Sequence, residues 1–186
     1  MYSQAFIAFI GVVIGAFCTA FFTYRYNRKH SKELEQKSIN NLIKAFHVEL
    51  SVLWDRYMEV TGKDIEKAEN FGDFHPAGII QSFQNYFIVY DKSSPLIGLL
   101  DPTIVKAVVE MYVNAKSYLD ELMHYQRLCE KYYENIYIAS SLSAGIKEIA
   151  INYLNYIKKR HFEIKDKYRS TKELLADYIG VNEINY

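Results

Sequence analysis

The chain has 186 residues, 22 basic against 22 acidic side chains for a formal net charge of zero, and half of its residues are hydrophobic. That composition excludes disorder as the default and removes any overall attraction to polyanions, so direct binding of duplex nucleic acid is not expected. Eight glycines and three prolines leave few helix breakers, and two distant cysteines, Cys18 and Cys129, leave no disulfide framework, as in a reducing compartment.

Residues 5–24, AFIAFIGVVIGAFCTAFFTY, pass without a charge. Twenty helical residues rise about 30 Å, the thickness of a bilayer's hydrocarbon core. No cationic segment precedes the run and no small-x-small site ends it, which speaks against a cleaved signal. The expectation is a retained transmembrane anchor over residues 1–24. Arg25, Arg28, Lys29 and Lys32 follow at once. The positive-inside rule then places the N-terminus outside and the domain of residues 25–186 in the cytosol, at the inner (cytoplasmic) membrane. Gly11 and Gly15 form a GxxxG pair, a spacing that lets two helices approach closely and self-associate.

From residue 34 the apolar positions recur in steps of three and four through Leu42, Ile43, Phe46, Leu50, Leu53 and Tyr57. No Gly or Pro interrupts them, so the anchor is expected to continue as one helix to about residue 60, with Thr61-Gly62 as its stop. A short helical KDIEKAEN and a loop, FGDFH, come next. Pro76 opens a second helix, 76–91, with Ile79, Ile80, Phe83, Phe87 and Tyr90 on its apolar face, ended by DKSSP. Asp101-Pro102 caps and starts a third helix, 101–137, with Val105, Val108, Val109, Tyr112, Leu119, Leu122 and Met123 on one side. A fourth, 144–168, carries Ile146, Ile149, Ala150, Tyr153, Leu154 and Ile157. Ser170-x-x-Glu173 resembles a capping box before a short last helix, 171–179, ended by Gly180. The fold class that follows is all-α: an N-terminal transmembrane helix continuing into a cytosolic antiparallel four-helix bundle, running away, back, away and back.

That topology polarises the charge. Residues 25–37 carry net +3, residues 155–172 net +5 and residues 38–154 net −5. The two basic blocks would meet beside the inner leaflet, with Lys158, Lys159 and Arg160 joining Arg25, Arg28, Lys29 and Lys32 as contacts for anionic lipid or phosphate.

Chemistry-bearing motifs are scarce. Glu121-x-x-His124 has the spacing of a bundle metal ligand pair, but His30, His47, His75 and His161 each lack a glutamate three residues before them, so a di-metal site is not expected. His47 and Glu49 do not share a helix face. Phosphate-loop, dinucleotide, nucleophile-elbow and HExxH patterns do not occur. No enzyme activity, metal or cofactor is expected. The most unusual stretch is QNYFIVYDKSSPLIGLL, residues 84–100, where Tyr86, Tyr90 and Asp91 could receive a partner; the plainer reading closes the helix end with Tyr86, Phe87 and Tyr90 against Leu99 and Leu100.

NYFIVYDKSSPLIGLL followed by IVKAVVEMYVNAKSYLDEL, with the anchor, resembles small uncharacterised bacterial membrane proteins in which one N-terminal span leads into a cytosolic helical domain. The likeness covers roughly residues 75–125. Some such proteins are encoded beside anti-phage defence systems, where membrane-anchored effectors respond to a cytosolic sensor or a nucleotide signal. The resemblance implies that context and transfers no functional residue. Together these readings point to a non-enzymatic, membrane-anchored effector or regulator. Its helical domain would bind a cytosolic protein partner or a ligand, and its span would form homo-oligomers or perturb the lipid bilayer. A passive tether for a cytosolic partner, and a nucleotide sensor using the basic segment 158–169, are the alternatives.

Overall fold

The computed structural model of the chain describes residues 2–74, 87–136 and 140–184, with side chains from residue 15 onward apart from Ser94, residues 140–142 and those after Gly180. Helix α1 is Tyr2–Tyr57; a π-helical turn, Met58–Gly62, and α2, Lys63–Lys67, follow it. Two short helices, α3 (Ile88–Lys92) and α4 (Ser94–Ile97), precede the long α5 (Pro102–Asn135) and α6 (Ser140–Ile184). No strand occurs among the described residues, so the all-α expectation stands.

The expected membrane span does not. Among the described residues no helix is long and apolar enough to cross a membrane. The apolar stretch is exposed over its described side chains, residues 15–24. Arg25, Arg28, Lys29 and Lys32 follow it, all exposed. The transmembrane anchor of residues 1–24, the single-pass topology with the N-terminus out and the inner-membrane location are corrected accordingly.

The chain divides into two compact units, Met1–Asn41 and Leu42–Tyr186. The first is helical throughout its described length, and from Gly15 to Glu35 every residue is exposed. Its internal bonds are local: Thr19 Oγ1 donates to the Gly15 carbonyl at 2.8 Å, Gln36 Nε2 donates to Asn40 Oδ1 at 3.1 Å, and Lys29 lies 3.8 Å from Glu33.

Among the described residues of the second unit, three helical segments each bury a seam of alternating three- and four-residue steps. In the last part of α1 the seam includes Ile43, Phe46, Leu50 and Tyr57. In α5 it is Ile104, Val108, Met111, Tyr118, Leu122, Tyr125 and Cys129. In α6 it is Ala150, Leu154, Ile157, His161, Ile164, Tyr168, Thr171 and Leu175. Such a repeat keeps one stripe of each helix facing its neighbours over many turns. Contacts set the directions. Phe46 meets Tyr112 and Tyr57 meets Tyr118, so α1 and α5 run parallel. Glu110 meets Lys167 and Glu121 meets Arg160, so α6 runs antiparallel to α5. These are the senses expected for the first, third and fourth helices. The expected returning helix, 76–91, falls mostly outside the described residues; its last turn is α3.

Several boundaries differ from expectation for local reasons. Thr61-Gly62 does not stop the helix. Gly62 keeps right-handed angles (φ −60°, ψ −40°), the turn widens so that the Lys63 N–H reaches the Met58 carbonyl, and helix resumes to Lys67. Gly72, at φ 103°, makes the turn instead, and Asp73 Oδ2 accepts from the Glu69 and Asn70 N–H groups there. Asp101 caps α5 as expected, accepting from the Thr103 N–H at 2.8 Å with Pro102 in the first turn. Ser170 does not break α6. Its hydroxyl donates back to the Lys167 carbonyl at 3.0 Å, and the helix passes through Gly180.

Candidate functional site

The core of the second unit encloses a polar relay at the point where α1 gives way to the π-helical turn. His161, on α6, is fully buried. Its Nε2 lies 3.0 Å from Glu66 Oε1 on α2, and its Nδ1 lies 2.6 Å from the Tyr57 hydroxyl at the end of α1. The carboxylate can only accept, so Nε2 carries the proton; in the neutral ring Nδ1 is then an acceptor and Tyr57 O–H donates to it. Tyr57 and Tyr118 hydroxyls are 3.1 Å apart, and Tyr118 has the Ile157 carbonyl at 3.5 Å as its other partner. Lys165 Nζ shares Glu66 Oε1 at 2.5 Å, and Lys158 Nζ bonds the Ala68 carbonyl. Trp54 stacks over His161 (6.2 Å between ring centres) and Tyr168 (4.6 Å), closing the site from α1.

Burial and charge tune these groups. Burial lowers the His161 pKa and outweighs the opposing pull of Glu66, so the imidazole is neutral at pH 7. The hydrogen bond from Lys165, then that from His161, lowers Glu66 and keeps it ionised. Burial raises Tyr57 and Tyr118, which remain protonated donors. Neither tyrosine is prepared as a base or nucleophile. A cavity of about 60 Å³ lies beside the relay, bounded by Leu50, Trp54, Tyr57, Met111, Tyr118 and Tyr168. It has room for a small apolar group and falls well short of the roughly 300 Å³ at which small-molecule pockets begin.

A second cluster fastens the segment that the sequence marked for a partner. Glu49 on α1 accepts from the Val89 N–H (2.7 Å), the Tyr90 N–H (3.3 Å) and the Tyr112 hydroxyl (2.5 Å). Tyr90 stacks on Tyr112 at 4.3 Å, and Phe87 meets the same ring edge-on at 5.5 Å. Asp91 accepts from Lys116 at 2.7 Å, and that ammonium also lies over the Phe87 and Tyr90 rings. Tyr90 and Asp91 are thus brought together, held by α5; Tyr86 lies outside the described residues. The closure is made on Tyr112; of the two leucines expected there, Leu100 is buried and Leu99 is 47 % exposed.

The basic residues fare differently. Arg160 is half-buried between Glu121 (3.2 Å) and Glu163 (2.8 Å), and Lys158 is spent on Ala68. Lys165 and Lys167 are held by Glu66 and Glu110. Of the three expected phosphate contacts on this helix, Lys159 alone is exposed, with Glu163 3.9 Å away. Arg25, Arg28, Lys29 and Lys32 line an open groove with Phe21 and Tyr24, and the Arg25 guanidinium lies over the Phe21 ring at 5.6 Å. A Cβ added at Gly15 would meet nothing; Gly11 lies among residues whose side-chain surroundings are not described. Among the described residues no group of three or more His, Cys, Asp or Glu could hold a metal. His124 is exposed and packs on Tyr153, and Glu121 takes Tyr156 and Arg160. Cys18 is exposed and Cys129 buried, both free.

Sequence reasoning did not single out Glu49, Glu66, Tyr57, Tyr118 and His161 as members of a candidate site. His161 had a visible signal: it occupies a core step between Ile157 and Ile164. Comparison with known proteins gives no matching family model, no matching curated protein and no matching solved structure.

Proposed function

We propose that the chain is a non-enzymatic effector or regulator. Its helical unit, residues 42–186, presents a binding surface to a protein partner, and the helix of residues 15–41 joins copies of the chain. The observation that carries this reading is the run Phe17, Phe21, Phe22, Tyr24 and Tyr26, exposed by 76, 50, 67, 64 and 70 % within ten residues of helix. Apolar surface concentrated in this way marks an interaction site, and a helix with no internal tertiary support depends on a partner for its stability. The relay supports a non-enzymatic reading as well: its tyrosines are held protonated and its cavity is too small for a substrate of ordinary size. The pairing of Arg160, Lys165 and Lys167 with glutamates weighs against a phosphate-gripping sensor in that segment.

The test replaces Phe17, Phe21 and Phe22 together with serine and follows mass by analytical ultracentrifugation. The wild type is expected to be multimeric and the variant monomeric with unchanged helix content in residues 42–186. A wild type that stays monomeric at all concentrations overturns the proposal.

A further inference from the structure

The relay has a property that its geometry makes unusual: it can be drawn with its hydrogens running in either direction, and one direction is poorly terminated. With neutral His161, Tyr57 donates to Nδ1 at 2.6 Å and Tyr118 donates to Tyr57 at 3.1 Å. A proton added at Nδ1 forces reversal, because both ring nitrogens then donate. Tyr57 would have to turn its hydrogen to Tyr118, and Tyr118 its own to the Ile157 carbonyl, 3.5 Å away at the outer limit of a hydrogen bond. The charged ring would also sit without solvent, since His161 is fully buried.

The charges around it do not compensate fully. From α2 the ring faces Glu66, whose Oε1 is already shared with the Lys165 ammonium of α6. From α1 it faces Tyr57, and Tyr118 of α5 stands one bond beyond; Trp54 and Phe162 complete the walls with uncharged rings. Of these neighbours Glu66 favours the charged ring and Lys165 opposes it.

What covers the site is its thinnest part. The π-helical turn Met58–Gly62 and the five-residue α2 hold Thr61, Gly62 and Ile65 buried, yet Thr61 Oγ1 has no hydrogen-bond partner. π-Helical turns inside helices are rare and frequently lie at functional sites. The segment is tied to α6 by Glu66 on His161 and Lys165 and by the Ala68 carbonyl on Lys158.

We propose that His161 is an acid-sensitive latch: neutral, it holds the π-helical turn and α2 closed on α6, and its protonation releases residues 58–68 so that the imidazolium reaches water. The opening equilibrium would then rise about tenfold for each pH unit between the open-state pKa, near the ordinary 6.5, and the lower closed-state value.

The chain carries one tryptophan, Trp54, stacked on this ring, so its emission reports the latch. An imidazolium in contact quenches indole fluorescence, and release of the turn shifts the emission to the red. The experiment titrates the full chain from pH 8 to pH 4, recording Trp54 emission, the His161 ring resonances by NMR, and hydrogen-exchange protection of residues 58–68 against that of α5. His161→Gln can accept from Tyr57 and donate to Glu66 without titrating, and serves as the control. Expected are a His161 midpoint below 6.5, an emission change with the same midpoint, and protection in 58–68 that falls tenfold per unit while staying at least tenfold below that of α5 at each pH, because the segment opens without the rest of the fold. In His161→Gln the emission and exchange changes vanish. A wild-type His161 midpoint at or above 6.5, or protection of 58–68 equal to that of α5 at every pH, overturns the latch. Those two readouts need no variant, so a failure of His161→Gln to fold leaves the test intact.

Discussion

Removing the Glu49 carboxylate is the sharpest probe of how α3 is held on the helical unit. In Glu49→Ala three donors lose their acceptor at once: the Val89 and Tyr90 N–H groups in the first turn of α3, and the Tyr112 hydroxyl. Tyr112 is fully buried, so water does not readily replace its partner, and an orphaned buried hydroxyl costs about 1–3 kcal/mol. Loss of a helix N-terminal acceptor adds about 1 kcal/mol, with water available to the half-buried α3 backbone. The sum is a loss of about 3 kcal/mol in the free energy of unfolding. Glu49→Gln keeps one carbonyl acceptor and should lose about half as much. Tyr112→Phe removes one of the three donors, so the double variant Glu49→Ala/Tyr112→Phe should cost about 1 kcal/mol less than the two single losses combined. Equilibrium urea unfolding followed by far-ultraviolet circular dichroism measures these values. Tryptic cleavage after the exposed Lys92 should accelerate in Glu49→Ala more than cleavage within α5. A Glu49→Ala loss within about 0.5 kcal/mol, the range of neutral surface changes, would refute the clamp.

Leu122, fully buried on the α5 seam, should cost about 2–5 kcal/mol as Leu122→Ala in the same urea assay, where a value under 1 kcal/mol would show the seam misplaced. At Gly62 an added Cβ would lie 2.4 Å from Met58 Sδ and 3.0 Å from Tyr57 Cε1, so Gly62→Ala must displace both side chains. It should cost about 1–3 kcal/mol, and the additional change Met58→Ala should restore part of it. Global stability should decline in acid. His161 is depressed in the fold, so the unfolded chain binds more protons between its folded value and 6.5, and stability falls as pH drops through that window. Glu66 is depressed too; its contribution is present above 4.5 and is lost as pH falls further toward its folded value. Thermal melts from pH 8 to pH 4 should show a Tm that is level above about 6.5 and falls below it, whereas a Tm rising on acidification from pH 7 to pH 5.5 would contradict the sign.

How far the residues announced this structure depends on how each helix displays its stripe. Helix α5 was legible at its start, because Asp101-Pro102 is a local device that needs no tertiary partner. Its face was misjudged by part of a turn. Val105, Val109, Leu119 and Met123 are half-buried, while Tyr118 and Tyr125 take seam positions; including these two beside Tyr112 and Leu122 would have aligned the repeat from Ile104 to Cys129. The same correction carries α6 through Tyr168 and Thr171 to Leu175, which is why Ser170 and Gly180, poor helix residues in isolation, do not end it. Packing of one long stripe outweighs a few tenths of a kcal/mol to about 1 kcal/mol of local propensity. The candidate site was not legible, because its members lie 61 to 104 residues apart in Tyr57–Tyr118 and Tyr57–His161 and no spacing rule joins them. Net charge by segment does not show which charges pair across the fold, for a related reason. In the basic stretch 155–172, Arg160, Lys165 and Lys167 meet Glu121, Glu66 and Glu110 in the fold, so three of its charges are paired within the unit.

The central proposal is that the helix of residues 15–41 joins copies of a helical unit that stands by itself. The mass of the full chain beside that of residues 42–186, by light scattering after size exclusion at matched concentrations, tests it most directly. The account predicts a multimer for the full chain and a folded monomer for residues 42–186. Equal association states in the two, whether monomer or multimer, would contradict it.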